Sequence, residues 1–596
     1  MYASELQRDK VSRLVTWGHW FAFFNGIIAT LIAIRYVKLL GWPETLLAQG
    51  YAVITLVGHF AFVSFLGYLL LLFPITLLLP YSKILRGLAA VLATIAHTVL
   101  VYDILVFDHY RLHLNPFVFD LSFADLPQLI SNAWLLILPA AMLALQLTLA
   151  NGLWRRIERL SRKNLGGKVT TVMVALFLGS HLLHIWADAN IYQPILKQDK
   201  MLPLHYPATA RNFMAKQGIV DEDTYIERVQ TAKPTDQLNY PVEPMQCSVE
   251  ETPSIVMVTV EALRQNMINQ QTMPKLMAWS QQAQVFTQHF SGSNEADQGI
   301  RSMLYGMLPS YESYLEADRK APILTQELKK AGYNLQVLGF TQTQQGLKNA
   351  IALEQVNKLP EYHYETAAER DINTTQQALM ALSMNSGPSF TLINYHAPSV
   401  YSTPVGFVGL PTVKPSEGYN EAQGVLFNQY RSSLNFLDTL LAKLLEQLPK
   451  DTVVIITGTH GQEFTSLNDH LTRNFSNATT QVPLMIRWPN GTQGKVNYQT
   501  SHYAIAPTLL TQVLGCTNSP EQYSFGDTLS APSHSDYLVM ANRRYFAIRT
   551  DNSITVIGRG GDYRVYDHHD NRIRKAKLNA PAMLSLMKEN RRMFIK

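Results

Sequence analysis

The chain has 596 residues, too many for one ordinary domain, yet its mean hydropathy of -0.02 is that of a soluble protein. Its formal net charge of +5 is small for this length and excludes the concentrated basic stripe that a nucleic-acid partner requires. There is no Cys/His zinc spacing, no Gly-rich phosphate loop and no internal repeat.

The average hides two unlike parts. Five segments are apolar over the roughly 20 residues that a bilayer crossing takes: about Val15–Ile34, Val53–Leu79, Gly87–Phe107, Ala133–Trp154 and Val169–Trp186. Pro74 falls inside the second, which membrane helices tolerate. A cleaved signal peptide does not fit, because the first segment starts late, lacks a small-residue cleavage site and is followed by four more. Basic residues set the orientation. Arg8, Lys10 and Arg13 precede the first segment, Lys83 and Arg86 lie in the second connection, and Arg155, Arg156, Arg159, Arg162, Lys163 and Lys168 in the fourth. Those three regions are expected in the cytoplasm. The third connection has Arg111 against Asp108, Asp120 and Asp125, and suits the outside; Arg35 and Lys38 in the first connection are a weak counter-signal. Everything after Trp186 then lies outside, which in a Gram-negative cell is the periplasm. His19, Asn25, His59, His97, Asp103, His181 and His184 fall within these helices. Singly each is expected to hydrogen-bond to a neighbouring helix; together they suggest a polar interior or a partner-binding face.

The link at 191–250 holds Ala208–Lys216, which reads as a short amphipathic helix able to put Phe213 and Met214 into lipid and Arg211 and Lys216 at anionic head groups. Gln230–Ser248, with Pro234, Pro241 and Pro244, reads as a linker. Domains are therefore expected at 1–190, 191–250 and 251–596. From Pro253 on, β-rich runs at Ser254–Val260, Gln284–Thr287, Leu335–Gly339, Phe390–Asn394, Thr452–Thr457 and Pro483–Trp488 alternate with helical stretches, a long one near Glu421–Gln447. This pattern predicts an α/β sheet covered on both faces, with ligands at the carboxyl ends of its strands. Tyr537–Met540, Tyr545–Arg549, Ser553–Ile557 and Tyr563–Tyr566 predict a small antiparallel sheet, and Ala580–Met593 a last helix. Cys247 and Cys516 read by default as two separate buried thiols; an oxidising compartment would allow one disulfide.

The strand ends carry Glu261 and Gly458-Thr459-His460-Gly461, and Ser501-His502-Tyr503-Ala504-Ile505-Ala506-Pro507-Thr508-Leu509-Leu510 opens a helix. These segments resemble the alkaline phosphatase/sulfatase superfamily. That resemblance implies an acidic metal ligand after the first strand, a hydroxyl nucleophile at a helix N-terminus, an Asp-His-Gly and a further His. The metal lowers the pKa of the nucleophile and polarises the phosphoryl or sulfuryl group, and the helix end holds the anion. Glu261 and His460 match, as ligands for a possible residual Mg or Mn. Thr459 replaces the Asp, Glu295 takes the nucleophile position (Ser293 only with a register shift of two), and Asn477 falls where the further His belongs, with His470 and His396 as nearby candidates. The expected reading is a degenerate hydrolase, or pseudoenzyme.

A closer resemblance covers the whole chain. Trp17-Gly18-His19-Trp20-Phe21, His113-Leu114-Asn115-Pro116, His184-Ile185-Trp186-Ala187-Asp188-Ala189-Asn190 and Tyr206-Pro207-Ala208-Thr209-Ala210-Arg211 look like the YejM/PbgA (LapC) family of inner-membrane proteins. What this resemblance implies is a sensor of lipopolysaccharide. It would bind lipid A through a stretch containing Tyr206, Thr209, Ala210, Arg211, Asn212, Phe213 and Lys216. It would contact LapB through the membrane helices and so act on FtsH, which degrades LpxC. Asn212 departs from the basic pair expected beside Arg211. Two alternatives are an active metal-dependent phosphatase or phosphotransferase on lipid head groups, and a protein that binds or transports cardiolipin.

Overall fold

The computed structural model describes residues 2–596 apart from 111, 125–136, 164, 191, 200, 210–237, 341–350, 355, 359–364, 385–386, 416–418, 465–472, 559–561, 575, 577–578, 580–581, 584–585, 587–592 and 595–596. It divides into two compact units, Met1–Thr235 and Asp236–Lys596.

The first unit is helical. Helix α1 (Tyr2–Leu40) is followed by α2 (Leu46–Gly67), α3 (Ser82–Tyr110), α4 (Leu138–Arg162) and α5 (Gly166–Asn190). Beyond Gly67 the chain of α2 runs through a π turn at Tyr68–Leu72 into a short helix, Phe73–Leu78. The cause is Pro74, which has no N–H to donate and crowds the carbonyl four residues before it. Among the described residues four spans are long and apolar enough to cross a membrane: Lys10–Leu40, Leu46–Leu78, Ser82–Tyr110 and Gly166–Asn190. The crossing expected at Ala133–Trp154 is described only from Ile137 onward, and its helix runs on into Arg155–Arg162. Small residues let the helices approach: a Cβ on Gly58 of α2 would stand 2.8 Å from the Phe177 nitrogen of α5. Polar residues cross-link them. The Trp17 indole donates to the Ala150 carbonyl at 3.0 Å. The Asp103 carboxylate accepts from the Tyr36 hydroxyl at 2.5 Å, His113 Nδ1 at 2.7 Å and the Leu114 amide at 2.6 Å, so the residues after α3 fold back onto its end.

The second unit is the α/β domain. In chain order its main elements are β1 (Ile255–Val260), β2 (Gln284–Phe290), α6 (Ala296–Tyr305), β3 (Asn334–Leu338), β4 (Asn357–Lys358), α7 (Ala367–Met384), β5 (Ser389–Tyr395), α8 (Glu421–Glu446), β6 (Val453–Gly458), β7 (Leu484–Arg487), β8 (Gly494–Ser501) and α9 (Ile505–Gln512). The sheet order is β4-β3-β5-β1-β6-β7-β2-β8; β1 pairs in parallel with β5 and β6, and β7 runs antiparallel between β6 and β2. Strands β1, β5 and β6 are buried at every position, which is why they are continuous apolar runs. β8 escaped the sequence reading because it is an edge strand, Gly-Lys-Val-Asn-Tyr-Gln-Thr-Ser, with almost no apolar signal. Helix α8 starts at a capping box, Asn420 with Gln423, and buries Phe427, Tyr430, Leu434, Leu437, Leu441 and Leu444 at helical spacing. β9 (Leu538–Ala541), β10 (Tyr545–Arg549), β11 (Ile554–Gly558) and β12 (Tyr563–Tyr566) form the antiparallel sheet close to its predicted positions. The last helix falls largely outside the described residues.

The default reading of the cysteines is corrected: Cys247 and Cys516 form a disulfide. Backbone pairing aligns them, with the Thr517 amide on the Gln246 carbonyl and the Ser248 amide on that of Gly515. Gly515 turns the chain there at φ 59°, and a Cβ on it would stand 2.2 Å from the Ser248 carbonyl oxygen. The bond closes a span of 269 residues and clips the segment before β1 to the end of α9. Cys247→Ser should lower the stability of the second unit by roughly 2–5 kcal/mol. Thermal unfolding of the full chain, with and without reductant, checks this: the wild type should lose stability on reduction and the variant should not respond.

Candidate functional site

At the carboxyl ends of β1, β5 and β6 the chain delivers Glu261, His396 and the Thr459-His460 pair side by side. Glu261 is 5% exposed. Its position is enforced from below and behind. The Thr259 hydroxyl donates to Asn394 Oδ1 at 2.9 Å, which turns the Asn394 amide so that Nδ2 donates to Glu261 Oε1 at 2.9 Å. The next residue, Ala262, sits at φ 63°, a conformation costing roughly 1 kcal/mol for a non-glycine residue. Tyr430 of α8 secures it by donating to the Ala262 carbonyl at 2.5 Å. His396 Nδ1 donates to Glu261 Oε2 at 2.6 Å. Asp371 of α7, fully buried, accepts the backbone amides of His396 and Ala397 and so fixes the His396 turn.

The protonation states follow. Burial pushes the Glu261 carboxyl up, but the hydrogen bond and charge of His396, helped by Asn394 and His460, outweigh it and hold it below the usual carboxylate range. Burial pulls His396 down and its bond to Glu261 more than restores it, so its pKa is raised. Each shift favours the charged form of that partner. Burial pushes Asp371 up to about 7. Burial also depresses His460, whose Nδ1 lies 2.5 Å from the Gly461 carbonyl oxygen.

Glu295, expected from the sequence at the nucleophile position, is the N-cap of α6 and does not bond the helix amides with its side chain. Burial and the neighbouring Asp297 raise its pKa. Arg543, from the turn between β9 and β10, pairs with Asp297 and lies 3.8 Å from both Glu295 Oε2 and Glu312 Oε1. Arg301 of α6 binds Glu312 at 3.2 Å and Glu316 at 2.7 Å. An end of a helix that could hold a substrate anion therefore already faces carboxylates held by two arginines. The Ser293 hydroxyl accepts the Glu295 amide at 3.2 Å. Thr459 packs under α6, where a Cβ on Gly299 would stand 2.2 Å from its carbonyl oxygen. Its own hydroxyl is fully buried with no hydrogen-bond partner among the described residues. Asn477 opens a four-residue helix; its amide donates to the His568 carbonyl and its Oδ1 is buried without a partner. His470 lies outside the described residues.

A metal held by protein side chains alone takes about three or four converging carboxylate, imidazole or thiolate donors. Among the described residues no group of three His, Cys, Asp or Glu side chains meets that requirement. Glu261 is bonded to Asn394 and His396, and Thr459 brings a neutral hydroxyl. The described residues around Glu261 and His460 therefore do not form a closed Mg or Mn site. His396 was already a nearby candidate from the sequence; strand-end logic would have added Asn394, which lies at the end of β5. Asp371 gives no such signal, since it lies within a helix and acts through the backbone.

The second predicted site, Tyr206–Lys216, is described only through Thr209; Ala210, Arg211, Asn212, Phe213 and Lys216 lie outside the described residues. The segment leading into it is pinned by histidines of the membrane helices. His59 Nε2 meets the Pro203 carbonyl at 2.9 Å, His184 Nε2 meets Asp199 Oδ1 at 2.7 Å, and His184 Nδ1 meets the Ala208 carbonyl at 3.1 Å. The Ala208 amide donates to His181 Nδ1 at 3.1 Å. Burial, with His59, His181 and His184 nearby, pushes His205 down to about 3. Tyr206 points outward, 82% exposed.

Two substitutions test these arrangements. His396→Ala should destabilise the second unit by roughly 3–5 kcal/mol, because it leaves the Glu261 carboxylate buried without its cation. Adding Glu261→Gln should recover much of that loss in a double-mutant cycle. His184→Ala should raise amide hydrogen exchange across 199–208 at least several-fold while leaving β1 and β6 protected.

Two family models match the chain: a domain of unknown function, DUF3413, over residues 4–247, and Sulfatase over residues 253–515. The inner membrane protein YejM of Salmonella typhimurium is 30% identical over 604 aligned residues, covering 98% of each chain. An uncharacterized protein of Haemophilus influenzae is 29% identical, covering 95% of this chain and 94% of its own. Among solved structures, the phosphonate monoester hydrolase of Agrobacterium radiobacter aligns with a TM-score of 0.45 at 14% identity, over 57% of this chain and 96% of that one. Apolar helices followed by a sulfatase-like α/β domain, with identity sustained from end to end, place this chain in the family of the inner membrane protein YejM.

Proposed function

We propose that the protein is a regulator that senses lipopolysaccharide at the outer leaflet of the inner membrane, and that its hydrolase-like domain is catalytically degenerate. In this reading the chain crosses the bilayer five times with its N-terminus in the cytoplasm, and α4 is the crossing that ends in the basic run Arg155–Lys168. The second unit lies in the periplasm, a placement supported by the disulfide, which persists in an oxidising compartment. Lipid A occupies the segment from Tyr206 to Lys216, with Arg211 and Lys216 at its phosphates. Occupancy favours a conformation of the membrane helices with lower affinity for LapB, and through FtsH sets the lifetime of LpxC.

The observation that carries the degenerate reading is the closed Glu261–His396 pair, an internal imidazole donor where a hydrolase of this superfamily needs a carboxylate open to metal. The pinned segment 199–208 supports the sensing reading, because it ties the lipid-facing stretch to α2 and α5.

The test is lipid mass spectrometry on the full chain purified in gentle detergent, wild type beside Arg211→Ala with Lys216→Ala, combined with phosphate release in Mg and Mn. Lipid A on the wild type, lost from the double variant, with no metal-dependent turnover in either, is the expected result. Metal-dependent phosphate release from a lipid head group without bound lipid A would overturn both halves of the proposal.

A further inference from the structure

The segment 199–208 is held by histidines of α2 and α5, and its bonds differ in the number of protons they need. His181 of α5 accepts: the Ala208 amide donates to its Nδ1 at 3.1 Å. A neutral imidazole that accepts at Nδ1 carries its proton on Nε2, so a second proton has only Nδ1 to take. Protonated His181 has no acceptor left, and the Ala208 amide loses its partner. His184, one turn further on, needs the reverse. Its Nδ1 faces the Ala208 carbonyl at 3.1 Å and its Nε2 faces Asp199 Oδ1 at 2.7 Å. A carbonyl and a carboxylate only accept, so both bonds are complete only when His184 carries two protons. Ala208 is gripped at its amide by a histidine that must stay neutral and at its carbonyl by one that donates.

His205 belongs with His181. Its ring centroid lies 5.2 Å from that of His59 and 6.0 Å from that of His181. Its Nε2 is buried with no hydrogen-bond partner among the described residues, and burial beside these rings and His184 pushes its pKa down to about 3. His59 of α2 donates through Nε2 to the Pro203 carbonyl at 2.9 Å, a bond that a second proton leaves intact. The other charged or titratable groups around the cluster are Asp188 of α5, Asp199 of the segment itself, Tyr51 of α2 beside the His184 ring, and His113 beyond α3, which acts on His59. Protons have a way in along the segment, because the Asp199 side chain is 38% exposed.

We propose that the segment 199–208 is a proton-sensitive latch, closed while His181 and His205 are neutral and released when they take up protons. The inference deepens the sensing proposal and rests on it for the ligand, because the latch leads into the stretch assigned to lipid A. The closed segment keeps the second proton off His181 and His205, whereas the open one lets both titrate at the ordinary histidine value of about 6.5. Closure is therefore fully present above that value and is lost progressively as pH falls below it, up to about tenfold per pH unit for each proton taken up. The His184–Asp199 pair needs its proton and offsets part of this loss. A released segment must be ordered again before it can hold a head group, and that entropy weakens binding.

The test is hydrogen exchange of the full chain in nanodiscs of phosphatidylethanolamine and phosphatidylglycerol, without lipid A, at about pH 7 and about pH 5. Protection factors divide out the intrinsic pH dependence of exchange. Protection across 199–208 should fall at least about tenfold at the lower pH, while amides of α1 and α3 keep theirs. His181→Asn offers an acceptor that takes no proton, and His205→Gln removes the second titrating ring. Together they should cut the fall to less than about threefold. Equal wild-type protection at the two pH values would overturn the latch, as would a double variant that responds as steeply as wild type. If the double variant is already open at the higher pH, His205→Gln alone decides: a smaller fall than in wild type is expected, and an equal one overturns the latch. Retention of added lipid A is then measured at both pH values. Wild type should lose several-fold more at the lower pH and the double variant should not. A pH-dependent segment in a chain that binds no lipid A at either pH would overturn the sensing reading and the role given to the latch, whereas flat exchange with lipid A bound would overturn the latch alone.

Discussion

A carboxylate buried away from water must find a positive or hydrogen-bonding partner, and this chain meets that demand with groups from other elements of the same unit. Glu261 at the end of β1 takes His396 from the end of β5 and Asn394 beside it. Asp103 of α3 takes Tyr36 from α1 and His113 from the loop beyond. Asp199, itself partly exposed, takes the buried His184 of α5. Each pair joins parts that the hydrophobic effect brings near but does not orient, since apolar burial is non-directional. Breaking either of the first two leaves a buried charge, which costs more than the pair contributes over an apolar substitute.

The same demand decides the chemistry of the strand ends. A hydrolase of this fold keeps its carboxylate and imidazole ligands poised for a dication, their mutual repulsion offset only when the metal is bound. Here His396 donates to Glu261 and Asp371 holds the His396 backbone, so the carboxylate has a hydrogen-bonding partner within the chain. Glu295 at the head of α6 brings a carboxyl group to a helix end that suits an anion, with Arg543 beside it. Tyr430, Ala262 and the capped helix α8 shape the strand end.

In the membrane unit the balance runs the other way. There is no water to drive apolar helices together, so close approach at glycine and directional polar bonds carry the packing. Gly58 against α5 and Trp17 against Ala150 are of this kind. Ala89, Ala93 and Ala96 of α3 line a half-open apolar cleft beside α2.

Much of this was written in the sequence, and for identifiable reasons. Long apolar runs, the Pro74 interruption and the alternation after Pro253 come from local periodicity, which depends only on neighbours along the chain. The all-buried strands β1, β5 and β6 and the four strands of the small sheet were readable because burial on one or both faces imprints a pattern on residue type. Thr459 and Glu295 could be singled out because their chemical types differ from those the resemblance implies at these motif positions. Edge strand β8 was not, because exposed strands carry no such imprint. The Cys247–Cys516 bond, the capture of Glu261 by His396 and the half-open cleft between α1, α2 and α3 were decided only in three dimensions. Each depends on atoms more than 60 residues apart along the chain arriving within a few ångströms, and sequence periodicity does not encode distance between elements.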